Sequence, residues 1–331
     1  MDFKQPFHVF SADDVKAALP MREAVIAIRE AFRELATGEV VVPLRTHISL
    51  EKHNADVLVM SCFSPRLDQV GMKIITLHPG NVDRGLPFIQ ATVMVLDAER
   101  GTPLAVMSGA VLTAIRTGAA SGVATDLLAR PDATRVAIIG TGVQAATQLE
   151  AMCTVRDIKF ATVFDLDSAR AQLFAERMQQ KLKIHVVAAP SASVAITDAE
   201  IICTATTSRT PVFDDRDVAP GTHINAIGVY KPHEREIPAA TVARSRVVVD
   251  DIGAAWEEAG DLILARSEGA ITSTHIHAAL GDIIAGRAGG RESADEITFF
   301  KSVGVGNQDL SAAHVVLARG TALDLGTVVS L

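Results

Sequence analysis

The stretch Arg135-Val-Ala-Ile-Ile-Gly-Thr-Gly-Val-Gln-Ala145 decides how this chain is read. An apolar run of strand length feeds into Gly140-x-Gly142-x-x-Ala145. A helix-like segment follows, then a second apolar run, Phe160 to Phe164, that ends on Asp165, twenty positions past Ala145. That order and spacing match a dinucleotide-binding βαβ unit. Gly140 permits the tight turn out of the strand, and Gly142 lets the backbone approach a pyrophosphate. Ala145 is small enough for the helix to pack closely on the strand. The helix N-terminus offers unpaired N–H groups to an anion, and Asp165 can accept from both ribose hydroxyls, which favours NAD over a 2′-phosphorylated cofactor. A glycine-rich turn alone is also compatible with a purely structural role. The strand before it, the helix after it and the acid at this distance favour a nicotinamide or flavin cofactor, and with it redox chemistry.

Downstream of this unit, strand-like runs alternate with helical segments at Glu200–Ala205, His223–Ile227 and Val247–Val249, which predicts a doubly wound parallel sheet. Upstream the pattern changes. Ser11 followed by Asp13 and Asp14 predicts a helix N-cap. A longer helix is expected over 21–37, with Val25, Ile28, Phe32 and Leu35 as its apolar stripe and Gly38 as its stop. Strands are expected at Val40–Leu50, Asp56–Phe63, Val70–Leu77, Phe88–Leu96 and Pro103–Met107, so this part reads as mostly antiparallel sheet with leading helices. Between the two regions, residues 109–129 predict one helix rich in Gly, Ala, Ser and Thr, small residues that let another backbone or a ligand come close. A strand at Ile297–Phe300 and an amphipathic segment at Leu310–Arg319 close the chain.

With 331 residues, 48% of them hydrophobic, and a mean hydropathy of +0.26, the chain has material for two domains and a sizeable core. The net charge of −8 and the absence of a Lys/Arg cluster argue against nucleic acid as a partner. No apolar stretch reaches the roughly 18 residues of a membrane span, and the N-terminal residues carry no signal-peptide core. Cys62, Cys153 and Cys203 form neither a metal nor a redox motif and read as buried small hydrophobes in a reducing cytoplasm. His78, His233, His275 and His277 show no metal-ligand spacing, and no G-x-S-x-G nucleophile motif is present.

Three cations stand out. Arg45 can clamp a carboxylate through its bidentate fork; a solvated strand face is the alternative. Lys73 is flanked by Met72, Ile74 and Ile75, and partial burial would lower its pKa and suit it to acid/base work or carboxylate binding; a lysine on an edge strand is the alternative. Arg116 is the one charge in the small-residue helix before Asp126. Burial there calls for an anionic partner: a substrate carboxylate, a cofactor phosphate or an internal salt bridge. Thr204-Ala205-Thr206 and Asn225 to Gly228 fall at carboxyl ends of predicted parallel strands, where ligands of such sheets bind.

Together, Gly71-Met-Lys-Ile, Gly85-Leu-Pro, Leu112-Thr-Ala-Ile-Arg-Thr-Gly-Ala-Ala-Ser121, Gly140-Thr-Gly-Val-Gln-Ala145, Asn225-Ala-Ile-Gly228 and Gly304-Val-Gly-Asn-Gln-Asp-Leu310 resemble the ornithine cyclodeaminase/μ-crystallin family over nearly the whole chain. The resemblance implies a homodimer. It also implies a Rossmann NAD(P)-binding domain over 126–306 and an α+β substrate-binding and dimerisation lobe over 1–125 plus 307–331. By position, Arg45 and Lys73 match substrate-carboxylate and catalytic residues, and Arg116 a residue at the substrate–cofactor junction. Thr117, Gly140, Gly142, Val143, Gln144, Ala145, Asp165, Thr204, Ala205, Thr206, Asn225, Gly228 and Ser302 match cofactor-side positions.

One departure bears on the subtype. Cyclodeaminases of this family place an Asp two residues beyond the Gly of N-A-x-G, and a Lys four residues farther on. Here those positions hold Tyr230 and Glu234. Tyrosine supplies no carboxylate near neutral pH, so the resemblance points to simple imine reduction. The expected activity is NAD(P)H-dependent reduction of a cyclic α-imino acid, Δ1-pyrroline-2-carboxylate or Δ1-piperideine-2-carboxylate, with NADP left open as cofactor. An alanine dehydrogenase, an ornithine cyclodeaminase and a crystallin-like cofactor-binding protein are the alternatives.

Overall fold

The computed structural model describes residues 6–330; of the N-terminal stretch 1–6 that shows no signal-peptide core, residues 1–5 lie outside the described residues. The chain divides into two compact units, residues 1–116 with 305–331, and residues 117–304. The crossing is at Arg116/Thr117, inside the Gly109–Leu128 helix, where the sequence reading set it at 125/126.

In the first unit, β1 (Pro6–Phe10) leads into the Ala12–Ala18 helix, which opens on a capping box: Asp14 N donates to Ser11 Oγ and Ser11 N to the Asp14 carboxylate. The Met21–Thr37 helix stops where expected, at Gly38 with φ 77°. Its buried stripe differs from the expected one. Met21, Ala24, Ala27, Ile28, Ala31 and Phe32 face inward while Val25 and Leu35 are half-buried. Alanines serve here because the Gly306–Ala322 helix comes close, near enough for Asn307 Nδ2 to donate to Ala31 O at 2.8 Å.

Strands β2 (Thr46–Leu50), β3 (Ala55–Ser64), β4 (Gln69–Leu77), β5 (Ile89–Asp97) and β6 (Pro103–Ser108) form the expected antiparallel run. The first of them begins later than Val40, since Pro43 has no N–H for a ladder and Val41 makes only an isolated bridge to Phe63.

The second unit contains β7 (Arg135–Ile139), β8 (Phe160–Phe164), β9 (His185–Ala188), β10 (Ile201–Thr204), β11 (His223–Ala226), β12 (Ser245–Val249), β13 (Ile276–Ala279) and β14 (Ile297–Lys301). They form one wholly parallel sheet in the order β13-β12-β14-β11-β10-β7-β8-β9. Strand order reverses beside β7, so the crevice of a doubly wound sheet opens at the carboxyl ends of β7 and β10. The strands carry Ile139, Ile202, Ile224, Val247 and Phe299 into one apolar core.

After the Gly306–Ala322 helix, β15 (Thr327–Ser330) returns to the first unit and pairs antiparallel with β1, giving the order β15-β1-β6-β5-β4-β3-β2. The helix lies directly on this sheet: a Cβ at Gly71 would meet Leu310 Cβ at 2.9 Å, and one at Gly306 would meet Ser61 O at 2.7 Å.

The composition of the Gly109–Leu128 helix now has a packing explanation. Every residue from 114 to 125 is buried, so the helix has no polar face to show. Within the second unit, a Cβ at Gly118 would stand 2.5 Å from Thr147 O of the Val143–Val155 helix. The two backbones touch there, which is why the second half of the helix belongs to this unit. Gly118→Ala should therefore lower the unfolding free energy by about 1–3 kcal/mol through overpacking, measured as a lower urea midpoint with an unchanged slope.

Candidate active site

Lys73 lies on β4 with its side chain on the face turned toward the Gly306–Ala322 helix. Its sequence neighbours Met72 and Ile74 point the other way, at 38% and 45% exposure. What buries Lys73, to 2%, includes its partners across the ladder, Met60 and Val93. Its Nζ sits 2.6 Å from Asp309 Oδ2. Arg116, 5% exposed, donates from Nε to Asp309 Oδ1 at 2.9 Å and from Nη1 to Gln308 Oε1 at 2.7 Å. One carboxylate thus stands between two buried cations, and the internal salt bridge offered as a reading of Arg116 is realised.

Charge counting shows that the cluster is still incomplete. Burial lowers the Lys73 ammonium to about 8. Asp309 opposes this, while the charges of Arg116 and Arg45 add to it. Burial works to raise Asp309, but Arg116 and Lys73 outweigh it and hold the carboxyl below its ordinary range. Two buried cations, Lys73 and Arg116, therefore share one carboxylate, an arrangement that favours a second carboxylate. Gln308 Nε2 is buried with no partner, a further donor at this place.

In the second unit, the glycine-rich turn has the expected form. Gly140 adopts φ 94°, and a Cβ there would meet Ala205 O at 2.6 Å, so the loops after β7 and β10 abut. At Gly142, the N-cap of the Val143–Val155 helix, a Cβ would meet nothing within 4 Å, and no side chain caps the helix. Its first N–H groups are left for an anion. Val143 is 75% exposed, Gln144 half-buried and Ala145 fully buried. Asp165 directly follows β8 and accepts from Thr141 N at 3.0 Å and Thr141 Oγ1 at 2.6 Å. Burial works to raise it, but these donors and the Asp167 amide hold it below its ordinary value, ionised and oriented beside the turn. The open cradle at Gly142, the uncapped helix and the fixed acid fit a dinucleotide. Thr204 Oγ1, buried with no partner at the end of β10, fits with them.

Other expected contacts are committed elsewhere. Asn225 is fully buried, donating to Thr125 Oγ1 at 2.9 Å and lying 3.2 Å from His223 Nε2, so its side chain belongs to the floor under the loops. Thr206 Oγ1 donates to Glu236 at 2.7 Å. Thr117 O accepts from Gln148 Nε2 at 3.3 Å, pinning the small-residue helix. Ser302 Oγ donates to Asp250 at 2.8 Å, and the same carboxylate oxygen accepts the amides of Val303 and Gly304. Gly228 donates its amide to Glu236 at 2.9 Å. Thr206, Gly228 and Ser302 thus shape the loops at the carboxyl ends of the strands through the buried acids Glu236 and Asp250.

The residues that reading missed are those acids, Asp309, Glu236 and Asp250. Asp309 had a signal: a charge in Gly306-Asn-Gln-Asp-Leu310, four residues into an otherwise uncharged turn, just as Arg116 is isolated in its helix. Burial pushes the thiols of Cys62, Cys153 and Cys203 up to about 12, which removes them as nucleophiles. Two surface depressions of about 490 and 800 Å3 are lined by none of the candidate residues.

The family described as ornithine cyclodeaminase/mu-crystallin matches residues 7–322. The chain is 37% identical over 319 residues to Delta(1)-pyrroline-2-carboxylate reductase of Bacillus cereus, covering 96% of this chain and 98% of that one. Thermococcus litoralis Delta(1)-pyrroline-2-carboxylate reductase, solved with NADH and L-proline, superposes with a TM-score of 0.94 at 41% identity, covering 97% and 99%. An archaeal alanine dehydrogenase dimer with bound NAD gives a TM-score of 0.92 at 35% identity, covering 98% and 99%.

Asp309→Asn would leave Lys73 and Arg116 buried without their counter-charge. Breaking such a pair should cost about 3–5 kcal/mol, read as a loss of unfolding free energy in urea at neutral pH.

Proposed function

Because the chain belongs to the ornithine cyclodeaminase/mu-crystallin family, we propose from its site that it reduces a cyclic α-imino acid with NADH. The substrate is Δ1-pyrroline-2-carboxylate or its six-membered homologue Δ1-piperideine-2-carboxylate, and the product L-proline or L-pipecolate. The observation that carries this reading is the buried pair of Lys73 and Arg116 sharing the single carboxylate of Asp309. The surplus positive charge takes the substrate carboxylate.

The roles follow from the contacts. Asp309 and Gln308 occupy Nε and Nη1 of Arg116, which directs its remaining Nη2 edge to the ligand. Asp309 keeps Lys73 charged enough to stand opposite a carboxylate and to deliver a proton, directly or through a water, to the imine nitrogen. Gly140, Gly142, the first turn of the Val143–Val155 helix, Asp165 and Thr204 hold the dinucleotide. Bound there, NADH supplies the hydride. Asp165 favours NADH over NADPH, since its ionised carboxylate repels a 2′-phosphate. Tyr230 and Glu234 in place of the cyclodeaminase Asp and Lys favour net reduction over ring-closing deamination.

Association as a homodimer is part of the proposal. On the outer face of the first unit's sheet, Ile48, Met72 and Ile74 are 47%, 38% and 45% exposed, and a second copy would cover them. Among the described residues no helix is long and apolar enough to cross a membrane. Three free thiols suit a reducing compartment, so the cytoplasm is the proposed location.

The test is NADH oxidation with each cyclic imine, without added ammonia. Turnover is expected with at least one imine. Turnover only with pyruvate and ammonia would replace this reading by the alanine dehydrogenase one, which the archaeal relative favours. Tight NADH binding without turnover on any of these would leave a cofactor-binding protein.

A second expectation concerns Lys73. Its ammonium has a pKa of about 8 in the free protein, so a carboxylate ligand binds the form present below that pH. Above it, binding must bring a proton, and the inhibition constant of L-proline should rise about tenfold per pH unit. Lys73→Met should abolish the inflection and lower kcat by about a hundredfold or more, with NADH affinity measured by fluorescence unchanged.

A further inference from the structure

We propose that Glu236 is a positioning residue for the cofactor: it locks together the two loops that follow β10 and β11 and so sets the affinity for NADH. The proposal rests on the reading that the second unit binds this dinucleotide. Glu236 is fully buried and lies in none of the motifs that identified the site. One of its carboxylate oxygens accepts from Thr206 N and Thr206 Oγ1, both at 2.7 Å, and the other accepts from Gly228 N at 2.9 Å. The glycine makes this approach possible, since a Cβ at Gly228 would fall 2.3 Å from Thr206 O and 2.6 Å from Glu236 Oε1.

Glu236 is itself held in place. Its own amide and that of Ile237 donate to Asp261 Oδ1 at 2.7 and 2.9 Å. The other oxygen of Asp261 lies 2.7 Å from Lys301 Nζ, which donates to Val229 O at 2.6 Å. Val229 adjoins Gly228, so the ring closes on the loop where it began. All three charged side chains are at 0% exposure. Buried ion clusters are often no more stabilising than well-packed apolar side chains, so stability alone is a weak reason for building this one. The specific result is geometric: the Thr206 backbone and the Gly228 turn each have one allowed position. Both follow the carboxyl ends of parallel strands, the ligand side of such a sheet.

The experiment is a fluorescence titration of NADH into wild-type protein, Glu236→Gln, Thr206→Val and the double variant, with steady-state kinetics alongside. In Glu236→Gln the amide nitrogen must face a backbone donor, so the NADH Kd and the KM for NADH should rise about tenfold. The KM for the imine should stay within about twofold. Thr206→Val keeps the backbone bond and should raise the NADH Kd about threefold, and adding it to Glu236→Gln should bring little more. If Glu236→Gln does not fold, as judged by circular dichroism, Thr206→Val carries the test. NADH affinities within about twofold of wild type in the folded variants overturn the proposal, as do imine and NADH KM values that rise together. Wild-type protein that binds no NADH overturns the dinucleotide reading first, and this proposal with it.

Discussion

The carboxylate of Asp309 is the constraint on which the first unit depends. A lysine and an arginine are both buried there, and without an anion between them neither would stay so. Asp309 reaches them because the Gly306–Ala322 helix is pressed onto the sheet at Gly71, where the missing side chain makes room for Leu310. That closeness brings the first turn of the helix over Lys73. One anion suffices to keep the cluster folded but leaves surplus positive charge, and on the proposed reading the surplus is what a carboxylate substrate meets. Stability and affinity are therefore in tension at this site: a second internal acid would stabilise the cations and remove the reason for a ligand to bind.

The parallel unit solves a different problem with the same kind of group. On the proposed reading its loops stay open toward a dinucleotide, and open loops need something to fix them. Acids take up the backbone donors that would otherwise point into solvent: half-buried Asp165 holds Thr141, while fully buried Glu236 holds Thr206 and Gly228, and fully buried Asp250 holds Ser302 to Gly304. Burial raises Glu236 and Asp250 above their ordinary values, an energetic cost that the donors around them offset. The glycine turn itself is shaped as much by its neighbour as by any ligand, since Gly140 is hemmed in by Ala205 while Gly142 faces open space.

Much of this was legible from the chain. Alternation with helix-like segments located β7, β8, β10, β11, β12 and β14 of the parallel sheet, because each is a short, largely β-forming run set between helical stretches. The capping serine at position 11 and the stop at Gly38 were read from local chemistry alone. The strands missed, β1, β9, β13 and β15, are four or five residues long and carry too few residues to show a period. The Lys73 environment was inferred from the wrong neighbours: along a strand, adjacent residues face opposite ways, and Met60 and Val93 are visible only once the ladder is known.

The sequence by itself determined the class of the fold, the glycine turn with its acid at Asp165, and the need of Arg116 for an anionic partner. Those depend on local spacing and on the cost of isolating a charge, and both can be read along a single strand of text. The tertiary structure decided which anion Arg116 takes and where the helix Gly109–Leu128 changes allegiance. It also decided that Thr206, Ser302 and Asn225 spend their side chains on the protein. Each of these turns on residues from about thirty to nearly two hundred positions apart meeting within about 3 Å. No periodicity in the chain encodes such a meeting; only the packing of helix on sheet and loop on loop brings it about.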